Sequence, residues 1–341
     1  MAIDEPIRLA VVTGGGGFLG RYIVEALVKA GARVRIYGRR EYSFAAELGV
    51  EVVRGDITDQ ARLEQAFAGA DTVMHTAAIA GIWGKWQEYY ATNTIGTQRV
   101  IAACQQAEVP RLVYTSSPSV IFGAEPQAGI DETVAYPRKF LAPYPHTKAL
   151  AEQDVLQAHD PPRLWTCALR PHLIWGPRDT HLFPRLVERA RAGQLRRIGT
   201  GENRVDTVYV ENAAIAHLQA ARGLERCGGK AYFITQGEPV NCWEWVNRLL
   251  GLAGEPAVRR SVSFRTAWIA GAVLERIYRL RGKWEEPRMT RFLAAQLALD
   301  HYYSIAAATA DFGYEPAIST EEGMERYQAW LSTPEGRRSI E

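Results

Sequence analysis

The sequence predicts an α/β chain built on a doubly wound parallel sheet with a smaller C-terminal lobe. Three observations carry that reading. Short apolar runs alternate with helical stretches through the first half, the turn Thr13-Gly14-Gly15-Gly16-Gly17-Phe18-Leu19-Gly20 joins the first run to the first helix, and the alternation fades after Pro171. Parallel strands covered on both faces read as nearly continuous apolar runs. Short β-to-α connections with right-handed crossovers then place helices on both sides of one sheet.

The first strand is expected over residues 7–13, an apolar run ending in the glycines. Residues 18–30 follow as a helix, with Ile23/Leu27 and Val24/Val28 at helical spacing and Gly31 where a C-cap belongs. Further strands are expected at 33–37, 50–53, 72–75, 111–115 and 164–169, with helices at 60–68, 86–107 and 145–158. Strand signals return at 205–210 and 231–235, and from Pro239 the chain reads as helical and irregular. These limits give a dinucleotide-binding domain over 1–180, to which 205–237 returns, and a substrate lobe over 181–204 and 238–341 that closes over it.

Composition excludes several classes. A length of 341 residues, 47% apolar and 23% charged, is ample for a core in one large or two closely packed domains. A net charge of +2 offers no bulk field for nucleic acid. Cys104, Cys167, Cys227 and Cys242 are scattered, which fits reduced thiols in a cytoplasm, and nothing calls for a metal. Residues 1–6 carry Asp4 and Glu5 and no apolar leader core, and no uncharged run reaches the ~20 residues of a spanning helix.

The glycine turn follows a strand and opens a helix, the context in which a dinucleotide phosphate is cradled. Gly14, Gly17 and Gly20, with Phe18 and Leu19, would bring backbone and helix N-terminus to the pyrophosphate. A ribose-binding carboxylate is expected about 20 residues on. Here the second strand ends Tyr37-Gly38-Arg39-Arg40, with Gly38 in the acid's place. Two guanidiniums suit a 2′-phosphate, so NADP(H) is expected over NAD(H), a solvated arginine pair being the other reading.

Tyr144 has a lysine four residues on, Lys148, and no other tyrosine in the chain does. Residues i and i+4 share a helix face, so an ammonium should neighbour the phenol and lower its pKa from ~10 by ~1–3 units. Such a phenol can exchange a proton with a substrate oxygen. Ser116-Ser117 leaves the end of the 111–115 strand, where ligands of open α/β sheets bind, although a serine pair there can also be simple turn chemistry.

Together TGxxGxxG, the serine doublet and YxxxK resemble the extended short-chain dehydrogenase/reductase family, over nearly the whole chain. The resemblance implies a Rossmann domain with a C-terminal substrate lobe. Ser117 would polarise the substrate oxygen, Tyr144 act as acid or base, and Lys148 hold the nicotinamide ribose. Asp56 and Ile57 resemble the adenine contact, Ala77 and Ala78 the loop beneath the ribose, and Pro171, in Leu169-Arg170-Pro171-His172-Leu173-Ile174-Trp175-Gly176-Pro177, the segment beside the nicotinamide. Ala80-Gly81-Ile82-Trp83-Gly84, Ser116-Ser117-Pro118-Ser119-Val120 and Pro287-Arg288-Met289-Thr290-Arg291-Phe292 are similar to the 3β-hydroxysteroid dehydrogenase-like branch. Within it, the missing strand-two acid favours NADPH-using reductases, such as those reducing a 2-alkyl-3-oxoalkanoic acid to the 2-alkyl-3-hydroxy acid in bacterial long-chain olefin biosynthesis. The branch also holds 3β-hydroxysteroid and sterol-4-carboxylate 3-dehydrogenases. The family further implies a homodimer, with helices 86–107 and 145–158 pairing.

Trp83, Trp86, Trp175 and Ser119 are expected at the substrate, with Arg185 holding a carboxylate and Arg178 or Arg204 as substitutes. Large aromatic rings suit a long acyl chain or sterol, and core packing is their other reading. Residues 264–280 read either as a solvated helix or as one lying at a membrane surface, with Arg265, Arg276, Arg279 and Arg281 beside Trp268, Ile269, Val273 and Ile277. Two rivals stay open, a nucleotide-sugar epimerase or dehydratase and a non-catalytic NADP sensor.

Overall fold

The computed structural model describes residues 6–340. The expected lack of a leader over residues 1–6 lies, except for Pro6, outside them, as do the two ends of the expected domain limits.

Seven parallel strands form the main sheet in the order Ala231–Ile234, Trp165–Pro171, Arg111–Thr115, Thr72–His75, Leu9–Thr13, Arg33–Gly38, Glu51–Arg54. The chain runs outward from Leu9–Thr13 in one direction and then resumes on its other side with Thr72–His75. That reversal opens a crevice at the carboxyl ends of these two strands, the usual ligand position in such sheets. Alternate strand residues face opposite ways. Val11, Val73 and Leu112 pack against Leu63, Phe67, Val100 and Val155, while Val12, Met74 and Val113 pack against Ile23, Val24, Leu27 and Ala213. Both faces are thus covered.

The second half departs from its expected strands. Residues 205–210 are not one strand. Arg204–Val205 joins a four-stranded sheet, Val208–Tyr209 pairs with Ile174–Trp175, and Val210 opens the helix Val210–Arg222. In the four-stranded sheet, His301–Tyr303 lies between Arg204–Val205 and Gln127–Ile130. The lobe core is aromatic, with Trp175, Trp243, Trp245, Phe183 and Tyr327 held among Leu182–Arg191, Cys242–Leu252 and Thr320–Leu331. Among the described residues no helix is long and apolar enough to cross a membrane.

Candidate active site

The glycine turn closes on itself through Gly17 N–H to the Gly14 carbonyl at 2.8 Å. Gly14 has φ +70°, and a Cβ there would stand 2.8 Å from the Ala77 amide nitrogen, so the turn and the 76–78 loop lie too close for any side chain at residue 14. At Gly20 a Cβ would run into the Gly14 carbonyl oxygen. The helix Phe18–Lys29 has no side-chain cap and no acid in its first turn, which leaves its amide donors and dipole to an anion.

A cavity of about 250 Å³ continues from this turn between Gly38, Arg39 and Arg40 on one side and Asp56, Ile57, Ala77 and Ala78 on another. Arg39 and Arg40 are exposed and, among the described residues, neither is in an ion pair. Hydrogen bonds from the Thr58 hydroxyl and amide hold the Asp56 carboxyl below the usual carboxylate range, with Arg39 adding to the effect. Tyr42, which the sequence did not single out, lays its ring against Gly16 and Gly38 in the same cavity. These residues fit a dinucleotide: uncapped amides for phosphates, an open face at Gly38, and two free guanidiniums beside it.

A second cavity, of about 340 Å³, is lined by Gly17, Phe18, Leu19, Ser117, Tyr144, Lys148 and Pro171. Phenol, amine and hydroxyl therefore converge over the glycines. The Ser117 hydroxyl shares a hydrogen bond of 2.9 Å with that of Ser119. Lys148 donates to the Thr115 carbonyl at 2.6 Å and stands 4.0 Å from the Tyr114 ring centre. Burial pushes its ammonium down to about 7, against the pull of Glu152. Tyr144 corrects the expectation of a lowered phenol. Burial pushes it up to about 12, and its hydrogen-bonding contact with Ser117 only partly opposes this. The lysine is engaged by the Thr115 carbonyl and a ring face instead.

Asn93 is a residue that the sequence reading missed. It is buried in a π-helical turn, Tyr90–Ile95, inside what was expected to be one continuous helix. Its side chain accepts from Ile79 N–H at 2.8 Å and donates to the Ile79 carbonyl at 3.0 Å and the Thr147 hydroxyl at 3.2 Å. The loop under the second cavity is thereby tied to the helix carrying Tyr144. Three polar residues, Asn93, Thr94 and Thr97, on the inner face of an apolar run were the signal available.

The aromatic expectations need correction. Trp175 is fully buried in the lobe core, bonding Thr207 at 3.1 Å and packed on Tyr209 and Trp245, because a rigid ring with one donor fills that gap. Trp83 is buried too, its indole N–H donating to the Lys283 carbonyl at 3.2 Å. Trp86 stacks on Tyr90 and lies tilted against His146 at the surface. Ile82, next to Trp83 in sequence, lines with Trp243, Trp245, Leu182, Leu186 and Phe292 a third, apolar cavity of about 330 Å³. Arg185 and Arg189 stand at that cavity and share the Glu286 carboxylate. Arg178 is committed to Glu25 and Arg204 to the Pro239 carbonyl.

Residues 11–261 match the model of the 3-beta hydroxysteroid dehydrogenase/isomerase family. The chain belongs to that family. It is 49% identical over 327 residues to the 2-alkyl-3-oxoalkanoate reductase of Stenotrophomonas maltophilia (strain K279a), covering 94% of this chain and 98% of that protein. Against the 3 beta-hydroxysteroid dehydrogenase/Delta 5-->4-isomerase of Mycobacterium tuberculosis (strain ATCC 25618 / H37Rv) identity is 36% over 343 residues, 95% of this chain and 90% of that protein. Among solved structures, gox2253 superposes with a TM-score of 0.77 at 25% identity, covering 95% of this chain and 97% of that one. MoeE5 in complex with UDP-glucose and NAD gives 0.74 at 25%, covering 97% and 99%. As a member of this family the chain carries the Rossmann sheet and C-terminal lobe that its motifs imply.

Proposed function

We propose that this chain is an NADP(H)-dependent oxidoreductase that reduces a 2-alkyl-3-oxoalkanoic acid to the 2-alkyl-3-hydroxy acid. The observation that carries the reading is that two cavities adjoin. The one holding Ser117, Tyr144 and Lys148 shares Leu173, His181 and Leu182 with the apolar cavity in the lobe. A ketone at the first with an alkyl arm in the second suits that shape, and relatives at 49% and 45% identity are named for this reduction. Arg185 and Arg189 offer a carboxylate a competing place beside Glu286.

When bound, the nicotinamide supplies the hydride. A phenol held up at about 12 keeps its proton at neutral pH, so Tyr144 serves as the acid toward the ketone oxygen. Ser117, relayed to Ser119, donates to the same oxygen and holds it in line. Lys148 would contact the ribose, and Asp56, Ile57, Ala77, Ala78 and Pro171 would border the dinucleotide. The guanidiniums of Arg39 and Arg40, with no carboxylate between them and Gly38, favour the 2′-phosphate form, although MoeE5 is described with NAD. A second reading, oxidation at the 3-hydroxyl of a sterol, is supported by 35% identity to the mouse sterol-4-alpha-carboxylate 3-dehydrogenase, decarboxylating. A homodimer through the two expected helices belongs to the same proposal.

The test is coenzyme turnover with a 2-alkyl-3-oxo acid and a 3-keto sterol side by side. NADPH consumption with the oxo acid, falling by roughly 10²–10⁴-fold in Tyr144→Phe while NADPH still binds, is the expected result. Preference for the sterol overturns the substrate, preference for NADH overturns the coenzyme, and an undiminished Tyr144→Phe rate overturns the acid.

A further inference from the structure

The second strand ends without an acid, yet a side-chain oxygen stands where the acid's would. A Cβ added to Gly38 would lie 2.5 Å from the Tyr42 hydroxyl oxygen. That is close to the separation of an aspartate's carboxylate oxygen from its own Cβ. The phenol oxygen therefore holds the ground that a ribose-binding carboxylate at the end of this strand would reach.

The ring is fixed in that position from several sides. A Cβ on Gly16 would run into it, so the phenol lies directly on the glycine turn. The Tyr42 carbonyl accepts from Ala45 N–H at 3.0 Å, which ties its backbone to the short helix Ser43–Glu47. The ring centre is 6.0 Å from that of Phe44, which is buried in the sheet core. A stiff side chain packed in this way loses little freedom when a ligand arrives.

Its hydroxyl is left for a ligand. Tyr37 spends its own on the Asp56 carbonyl at 2.7 Å, whereas among the described residues that of Tyr42 has no hydrogen-bond partner. Tyr42 lines the same cavity as Gly38, Arg39 and Arg40. The acids nearby are engaged, Asp56 by the Thr58 hydroxyl at 2.7 Å and Glu41 by Arg54 at 3.9 Å. An ionised carboxylate only accepts hydrogen bonds, so it takes a ribose 2′-hydroxyl and repels a 2′-phosphate. A phenol donates, which is what a phosphate oxygen requires. We infer that Tyr42 is a specificity-determining residue for the coenzyme, donating its hydroxyl to the 2′-phosphate whose charge Arg39 and Arg40 neutralise. This role rests on the reading of the coenzyme as NADP(H). The two arginines bring charge on long, exposed side chains, and the phenol adds a donor at a fixed point.

The test is calorimetric titration of the full chain with adenosine 2′,5′-bisphosphate and with adenosine 5′-monophosphate, which differ only in the group concerned. Wild type should bind the bisphosphate more tightly. Tyr42→Phe keeps the ring on Gly16 and removes only the donor, so the bisphosphate should weaken roughly tenfold while the monophosphate is held as before. The retained monophosphate also reports that the variant folds. No loss for the bisphosphate, or an equal loss for both ligands, overturns the phenol's role and leaves the wild type's coenzyme preference standing. A wild type that binds the two ligands alike overturns that preference and the phenol's role together.

Discussion

Lys148 and Tyr144 are both displaced by burial, in directions that fix which one is charged. The ammonium, pushed down to about 7, is half-ionised near neutral pH, whereas the phenol at about 12 remains protonated. A dinucleotide's phosphates favour the ionised lysine, so binding should take up a proton above pH 7. NADPH affinity is therefore expected to fall as pH rises from 7 to 9, by at most about tenfold per pH unit for one linked proton. Titrating NADPH by fluorescence across that range checks it. Lys148→Arg, which stays charged, should flatten the profile, and a flat wild-type profile would show that the lysine is not the linked group. The spacing of this pair was readable from the sequence because i and i+4 neighbours are local. The direction of the tyrosine's shift was not, since it depends on how deeply the surrounding fold buries the phenol. Trp175 failed for the same reason: whether an indole lines a cavity or fills a core is decided by Tyr209, Trp245 and Tyr327, all distant in sequence.

Elements divide along a similar line. Buried parallel strands announce themselves as apolar runs, so Arg111–Thr115 and Thr72–His75 lie where their residues place them. Two-residue strands such as Arg204–Val205 carry no period, and their partners, His301 and Asn241, are brought by chain closure. The π-helical turn Tyr90–Ile95 was equally hidden, because its extra residue leaves the apolar pattern nearly intact. Such turns often sit at functional sites, and here the turn aims Asn93 at both backbone groups of Ile79. Asn93→Ala would leave that amide and carbonyl without their partners, a loss of about 1–3 kcal/mol. The loop beneath the cavity that holds Tyr144 should loosen with it. A melting temperature several degrees lower together with a reduced kcat is expected, read by calorimetry and coenzyme turnover. Wild-type values for both would mean that the turn holds the loop by other contacts.

The whole molecule joins a seven-stranded sheet to a lobe whose core is aromatic, and on the proposed reading the substrate lies at the seam between them. The sheet supplies Ser117, Tyr144 and Lys148 from strand and helix ends, while Leu182–Arg191, Cys242–Leu252 and Arg291–Ala298 wall the apolar cavity. If an alkyl arm lies in that cavity, kcat/KM should climb with chain length as each methylene leaves water, by up to about 0.8 kcal/mol or roughly fourfold apiece. The climb should stop when the arm has filled about 330 Å³. Leu186 faces this space from Leu182–Arg191, so Leu186→Trp shortens it without touching the phenol or the glycine turn. A series of 2-alkyl-3-oxo acids of increasing length should then plateau earlier in the variant than in the wild type, with the shortest member reduced equally by both. Identical plateaus would place the arm outside the lobe, and with it the argument from the adjoining cavities would fall.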